Sequence, residues 1–504
     1  MMKGLPRPQV SLAELLPWAA DRFPEKTALI TAEGSYTYSE LEAASKAVAA
    51  ALLDRGLRQG QVISLFGQNS WRWLVTYHGI LRAGGVVNPI NVMLTGPELA
   101  FVLTDCEAVG LFMGPAESER VADSLAEIEL AFTMTLDEEW DRMVEEAPKS
   151  ELPLFDRGPT DLGSIGYTSG TTGHPKGAMQ SLQSVLLNCV YTVSMHGKIE
   201  SDISFSALPL AHVYGNVAVN GTLLAGGTVV LKERFDPADA LQAIAAEGVT
   251  VVEAVPAMYS MMLAAPELED TDFGSIRVST VGGQTFSPIV IEKWEARTSA
   301  PLLELWGMTE VSGLGTTHSP LAPSAPGSIG VTLPTMDAAI VPLEDESEAV
   351  ARGQPGELVV LGPLVMLGYY GNPEATAEVI SPEGWLRTGD VAVLEETGHI
   401  RIVDRVKDVI FTGGYNVYPA EIERVIAEHD DVALVAVGRE PDEVKGEIAV
   451  AHVVLREGAE TTSVDILEFC ADRLAAYKRP RRVHFRSSLP TTSSGKIMRR
   501  NLSD

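Results

Sequence analysis

The sequence predicts an α/β protein in which a large N-terminal domain of parallel-rich sheets, flanked by helices and carrying a small β-subdomain, precedes a small mobile α+β C-terminal domain. Three observations support this. Strand-like and helix-like patterns alternate as far as about Gly330, a turn-rich and strand-rich texture follows, and a compact mixed pattern begins at Pro419. A chain of 504 residues also exceeds what one hydrophobic core can organise, so two or more domains are expected.

TALIT (27–31) reads as a strand, and the segment from Thr37 to Gly56 as an amphipathic helix; Thr37 and Glu40 have capping-box spacing and Gly56 is the stop. QVISLF, SWRWLVTYHGILRAG and VVNPIN continue as strand, helix and strand. The stretch from Phe205 to Leu231 has no charge and is long enough to suggest a membrane span. Its Pro209, His212, Asn216, Asn220 and glycines instead predict an interior strand–helix–strand passage. GELVVLGPLVMLGYY and WLRTGDVAVLEETGHIRIVDRV form the β-subdomain, with a hairpin turn at Thr397–Ile400. Beyond Pro419, AEIERVIAEH and SVDILEFCADRLAAYKRP read as helices, and ALVAVGRE and IAVAHVVL as strands. The charged stretch near Asp404 to Lys407 is the expected junction.

The composition is globular, 45% apolar and 21% charged, and the net charge of −30 argues against a nucleic-acid partner, which would need a basic face. Cys106, Cys189 and Cys470 lack metal-ligand spacing and read as reduced thiols of a cytoplasmic protein; the N-terminal segment has no signal-peptide core. A soluble protein with no integral membrane segment is expected, and a homodimer is compatible with the sequence.

Tyr167 to Met179, YTSGTTGHPKGAM, concentrates hydroxyls and glycines before a lysine. Backbone N–H groups exposed by Gly170 and Gly173, the hydroxyls of Thr168, Ser169, Thr171 and Thr172, and the charge of Lys176 suit a phosphate chain. The spacing is not that of the common G-x-x-x-x-G-K-[ST] loop, because Gly177 stands where a metal-binding hydroxyl would be required.

This loop is followed, in order, by LPLAHVYG, WGMTE, WLRTGD, VDRVKDVI, GGYNVYPAEIE and PTTSSGKIMRR. The series resembles the ANL superfamily of adenylate-forming enzymes, in its acyl-CoA synthetase branch, over essentially the whole chain. Trp306 replaces the commoner tyrosine of the Y-G-x-T-E motif. The resemblance implies an adenylate-forming, AMP-binding domain over 1–404 and a mobile domain over 405–504. It implies attack of a carboxylate on the α-phosphorus of ATP, followed by transfer of the acyl group to coenzyme A with release of AMP.

It also implies roles. The loop residues Thr168 to Gly173 and Lys176 hold the outer phosphates. Thr309 touches the α-phosphate, and Glu310 holds Mg²⁺. Asp390 holds the ribose and Arg405 the nucleotide. Gly282, Gly283, Gln284, Trp306 and Gly307 flank adenine and the acyl pocket. Lys496 bridges carboxylate and α-phosphate, where a point charge on a flexible stem neutralises charge growing in the transition state. Lys407 is the hinge, Gly413 and Gly414 line the pantetheine channel, and His212 is the gate between the ATP site and the thiol tunnel.

His212, Tyr214, Asn216, Val217, Tyr259, Met308, Val311, Ser312 and Gly313 are the expected pocket residues. No carboxylate follows His212 to pair an amino-acid ammonium, so an amino acid is disfavoured. A medium- or long-chain fatty acid is favoured over a benzoate- or hydroxycinnamate-type acid because the pocket set is apolar and rich in small residues. From another class, a non-catalytic nucleotide-binding relative would have no chemical need for Glu310, Asp390 and Lys496 together.

Overall fold

The structure is a computed structural model and describes residues 11–168, 175–284, 286–322, 325–343, 349–490, 499 and 502. By packing, the chain divides into a larger unit, Met1–Ala338 with Val360–Leu386, and a smaller one, Ala339–Val359 with Arg387–Asp504.

The larger unit contains two sheets. One has nine strands. Its order runs Gly34–Thr37, Thr27–Thr31, Thr228–Leu231, Ile203–Ser206, Val251–Ala254, Val278–Val281, Leu302–Met308, Gly313–Thr317, Val331–Thr332. Strands from Thr27–Thr31 to Leu302–Met308 are parallel, and antiparallel strands close both edges. The other has six strands, parallel except for the edge strand Lys176–Ser181, which returns antiparallel on Leu162–Thr168. The inner strands VISLF, TVVL, VVEA and VSTV are buried at every position, the pattern of parallel sheets covered on both faces.

Local signals act where expected. The helix Tyr38–Asp54 starts at a complete capping box: Glu40 N donates to Thr37 Oγ1 (3.2 Å), and Thr37 N to Glu40 Oε2 (2.7 Å). The uncharged passage is strand Ile203–Ser206, helix Val213–Leu224 and strand Thr228–Leu231. Among the described residues no helix is long and apolar enough to cross a membrane.

In the smaller unit, Leu386–Leu394 and Ile400–Arg405 form an antiparallel pair joined by a turn that Gly398 N closes on Glu395 O (3.0 Å), slightly ahead of the expected Thr397–Ile400 because Ile400 is already paired in the strand. They complete a four-stranded sheet with Asp337–Val341 and Pro355–Leu361. A second, five-stranded sheet is centred on Gly446–Leu455 and packs helices Pro419–Ala427 and Ser463–Ala471 around Ile422, Ile426, Ile466 and Cys470. The second helix is shorter than its periodicity predicts, stopping at Ala471 instead of running towards Pro480. Arg479 is the physical reason: its guanidinium donates to the carbonyls of Ala471 (2.7 Å) and Leu474 (2.9 Å), replacing the amides of a further turn.

Candidate active site

In the larger unit the hairpin of Leu162–Thr168 and Lys176–Ser181 sets Thr168 opposite Lys176, so the ends of the glycine-rich loop are held in register. Ser169, Gly170, Thr171, Thr172 and Gly173 of that loop, and Lys496, lie outside the described residues. Segment Met366–Tyr370 extends this hairpin: Met179 N donates to Gly368 O (2.9 Å) and Tyr370 N to Gly177 O (2.8 Å). This brings the Tyr369 ring beneath Lys176, whose Nζ lies 5.2 Å from the ring centroid, a cation–π contact.

The Tyr369 hydroxyl donates to Glu310 Oε1 at 3.0 Å. Burial, then the Glu310 charge, pushes that phenol above its ordinary range, so it stays a donor. Glu310 is buried in the single turn Thr309–Val311, where its carbonyl accepts from Met366 N (2.8 Å). Gln180 Nε2 holds the Thr309 carbonyl at 3.0 Å. Gly166 makes room for Thr309: a Cβ there would sit 2.5 Å from Thr309 Cγ2. Thr168, Lys176, Thr309, Glu310 and Tyr369 therefore form one cluster of hydroxyls, one cation and one carboxylate.

Trp306, Gly307 and Met308 end the strand Leu302–Met308, with a bulge between Trp306 and Gly307. Gly307 approaches the returning strand so closely that a Cβ would lie 1.9 Å from the Gly313 carbonyl oxygen. Trp306 is almost buried, while Gly307 is exposed and Met308 half-buried. Val311 is buried, and Ser312 Oγ donates to Ser184 Oγ (2.8 Å) and Leu364 O (3.2 Å). Asn188 braces this turn, donating to the carbonyls of Val311 and Leu314.

Helix Val213–Leu224 carries the gate segment. His212 is exposed at its N-cap, Nδ1 accepting from Tyr214 N (3.3 Å). The Tyr214 hydroxyl reaches Thr280 Oγ1 at 2.7 Å, and Val217 lies beside Gly313. Asn216 is buried; its Oδ1 accepts from Asn220, and its Nδ2 has no partner in hydrogen-bond geometry, although the buried Tyr77 hydroxyl is close enough to be influenced by it. Gly282 packs on Leu305, whereas Gly283 and Gln284 are exposed beyond the strand Val278–Val281. Tyr259, another expected pocket residue, has no exposed surface. It is fully enclosed in the helix–sheet core against Trp294 and Phe286, with its hydroxyl on the carbonyls of Val252 (3.2 Å) and Thr280 (2.8 Å).

The smaller unit holds a second group. Asp390, buried, faces Arg405 across the strand pair, with Oδ1 2.6 Å from Arg405 Nε. Lys407 is exposed in the single turn Val406–Asp408. Gly413 and Gly414, both at positive φ and exposed, form the two-residue turn between Ile410–Thr412 and Tyr415–Val417.

Tyr369 and Gln180 were missed by sequence reasoning; Tyr369 stands in GYY, inside a strand-like segment with no chemical signature of its own.

The AMP-binding enzyme family matches residues 16–370, and the AMP-binding enzyme C-terminal domain matches 421–496. The chain belongs to the AMP-binding enzyme family. It is 32% identical to a long-chain-fatty-acid–CoA ligase of Bacillus subtilis over 99% of this chain and 95% of that protein. It is 36% identical to a feruloyl-CoA synthase of Amycolatopsis, covering 94% and 95% of the two chains. The fold superposes on ATP-bound MatB from Rhodopseudomonas palustris with a TM-score of 0.90 and 33% identity, over 97% of this chain and 98% of that one. This AMP-binding enzyme is an ATP-dependent acyl-CoA synthetase of the ANL superfamily, acting on acyl or aryl acids with coenzyme A.

Proposed function

We propose that the enzyme adenylates a medium- or long-chain fatty acid and passes the acyl group to coenzyme A. The observation that carries the adenylating chemistry is the cluster of Thr168, Lys176, Thr309 and Glu310, with Tyr369 orienting the carboxylate. Loop residues 169–173, Thr168 and Lys176 hold the outer phosphates; Thr309 contacts the α-phosphate. Glu310 presents buried carboxylate oxygens, the donor type Mg²⁺ takes beside phosphates. Among the described residues no three acidic, histidine or cysteine side chains gather as a metal cage, so Mg²⁺ would take its other ligands from phosphate oxygens and water. Bound Mg²⁺ supplies neutralisation of phosphate charge.

Asp390 and Arg405 handle the nucleotide, and Lys496 the charge developing at the reacting carboxylate. The expected junction near Asp404 to Lys407, which lies within the smaller unit, is the pivot that exchanges Lys496 for the Gly413–Gly414 turn between the two half-reactions, with His212 gating the thiol. The enzyme works in the cytoplasm.

The fatty-acid preference is supported by Val217, Val311 and Gly313 along the expected pocket. A second reading, a benzoate- or hydroxycinnamate-type acid, is supported by the 36% identity to a feruloyl-CoA synthase. The test is a mass-spectrometric assay with ATP, Mg²⁺, coenzyme A and a panel of fatty, aryl and amino acids. Fatty-acyl thioesters support the first reading and aryl thioesters replace it with the second. Absence of any thioester with ATP still bound overturns both.

A further inference from the structure

The strands Leu162–Thr168 and Lys176–Ser181, with the segment Met366–Tyr370 beside them, form a ribbon with two faces. Thr168 stands opposite Lys176 and Gly166 opposite Ala178, whereas Tyr167 stands opposite Gly177 and Ile165 opposite Met179. Side chains alternate along a strand, so Gly166, Thr168, Lys176 and Gln180 share one face, and Ile165, Tyr167 and Gly177 the other. The first face carries the chemical groups: Gln180 holds Thr309, and Tyr369, bridged to Ala178, lies beneath Lys176 and donates to Glu310.

The second face is pinned from behind by the helix Gly96–Asp105. Ile165 is buried with Leu99, Val102, Leu103 and Cys106, and the rings of Tyr167 and Tyr370 pack against the same core. The Tyr167 hydroxyl donates to Asp105 Oδ2 (2.5 Å) and the Tyr370 hydroxyl to Glu107 Oε2 (3.0 Å), while Tyr370 N donates to Gly177 O (2.8 Å). Gly177 leaves room for this: a Cβ there would lie 2.8 Å from Ile165 Cγ2 and 3.0 Å from Tyr167 Cζ. Burial first, then the hydrogen bond to the carboxylate, raises both phenols, Tyr370 to about 12, so both stay donors.

The helix ends in a paired backbone cap, Glu107 N on Thr104 O (3.2 Å) and Ala108 N on Leu103 O (3.0 Å). The left-handed position of such a cap usually belongs to glycine or asparagine, yet Glu107 holds it at φ 52°. Its Cβ is disfavoured there. Backbone groups make the cap, and what a side chain adds at this position is the acceptor for Tyr370. Thr168 and Lys176 each adjoin a residue of the pinned pair Tyr167 and Gly177, so a shift of that pair reaches them through one peptide unit.

We propose that Asp105 and Glu107 are positioning residues: through Tyr167 and Tyr370 they fix the ribbon so that Thr168 and Lys176 meet the outer phosphates of ATP. This rests on the phosphate-holding role of Thr168 and Lys176 given above.

The test uses the full-length enzyme with Asp105→Ala and Glu107→Ala, beside Asp105→Asn and Glu107→Gln. Both carboxylates are exposed, so truncation opens no core cavity. Affinities for ATP, pyrophosphate and AMP are measured by calorimetry, together with KM for ATP and for the acid. The alanine variants weaken ATP and pyrophosphate by about 3- to 10-fold, leave AMP unchanged, and raise KM for ATP but not for the acid. The amide variants, whose side-chain oxygen still accepts, recover most of that loss. Tyr370→Phe combined with Glu107→Ala is no weaker than either alone. AMP weakened as much as ATP, or unchanged affinity for ATP and pyrophosphate, overturns the positioning role. Lys176→Met that binds ATP and pyrophosphate as tightly as the wild type overturns the phosphate-holding reading instead.

Discussion

The hydroxyl of Tyr369 donates to Glu310 Oε1 at 3.0 Å, joining the segment Met366–Tyr370 to the turn that carries the expected metal-binding carboxylate. Its contribution is orientation: a neutral donor fixes the carboxylate without competing for charge. Tyr369→Phe removes a hydrogen bond to an ionised group, worth about 1.5–3 kcal/mol. The expected outcome is weakened pyrophosphate exchange at limiting Mg²⁺ that recovers as Mg²⁺ is raised. An exchange rate that falls equally at all Mg²⁺ concentrations would place the effect elsewhere.

Gly166 is the floor under Thr309. A methyl group there meets Thr309 Cγ2 at 2.5 Å, so Gly166→Ala must displace that residue or the strand, at a cost of about 1–3 kcal/mol. Adenylation is expected to fall by about 10-fold or more while the protein remains folded, read by exchange kinetics beside a thermal melt. A wild-type rate would remove Thr309 from the reacting centre.

Two buried histidines predict an acid-labile fold. Burial holds His78 down to about 4, against an ordinary 6.5, with Asn220 opposing and Arg82 assisting. Burial, then Lys198, Arg277 and His318, hold His196 down to about 3. Both are neutral in the folded state, and the unfolded chain takes up their protons below 6.5. Their stabilisation is therefore present above pH 6.5 and is lost as pH falls towards 4 and 3, by about 1.4 kcal/mol per pH unit for each histidine. Denaturant midpoints measured from about pH 7 to about pH 5 should drop, and His78→Asn should flatten that slope. An identical slope in the variant would contradict a neutral His78.

The two halves of the reaction separate by substitution. Lys496→Ala is expected to cripple adenylation and leave thioester formation from supplied acyl-adenylate largely intact, whereas Lys407→Pro should do the reverse by stiffening the pivot. Measuring both half-reactions decides each: equal loss in Lys496→Ala removes its assigned role, and normal thioester formation in Lys407→Pro counts against rotation there.

Much of the architecture is written in short-range signals. The Thr37–Glu40 capping box and the inner strands, buried at every position, each depend on residues a few positions apart and form as read, while the hairpin turn closes at 395–398, ahead of the expected Thr397–Ile400. The ordered motifs likewise name Thr309, Glu310, Asp390 and Arg405 without any coordinates. The helix after Thr462 ends early for a reason the periodicity does not contain, a guanidinium eight residues on that occupies the carbonyl of Ala471.

What the sequence by itself determined is therefore the alternation of elements, the family and the types of chemical group available. Only the tertiary structure decided which of those groups meet. Tyr369 reaches Glu310 across 59 residues and Gln180 reaches Thr309 across 129, because an isolated bridge sets Tyr369 beside Ala178 and the turn Thr309–Val311 packs against the strand Lys176–Ser181. Tyr259, a plausible pocket residue by position, is drawn into the core by its helix packing. Propensity, periodicity and capping act over a turn or a strand, and so are visible in local sequence. Contacts between distant segments depend on how the whole set of apolar faces is buried at once, which no local window contains.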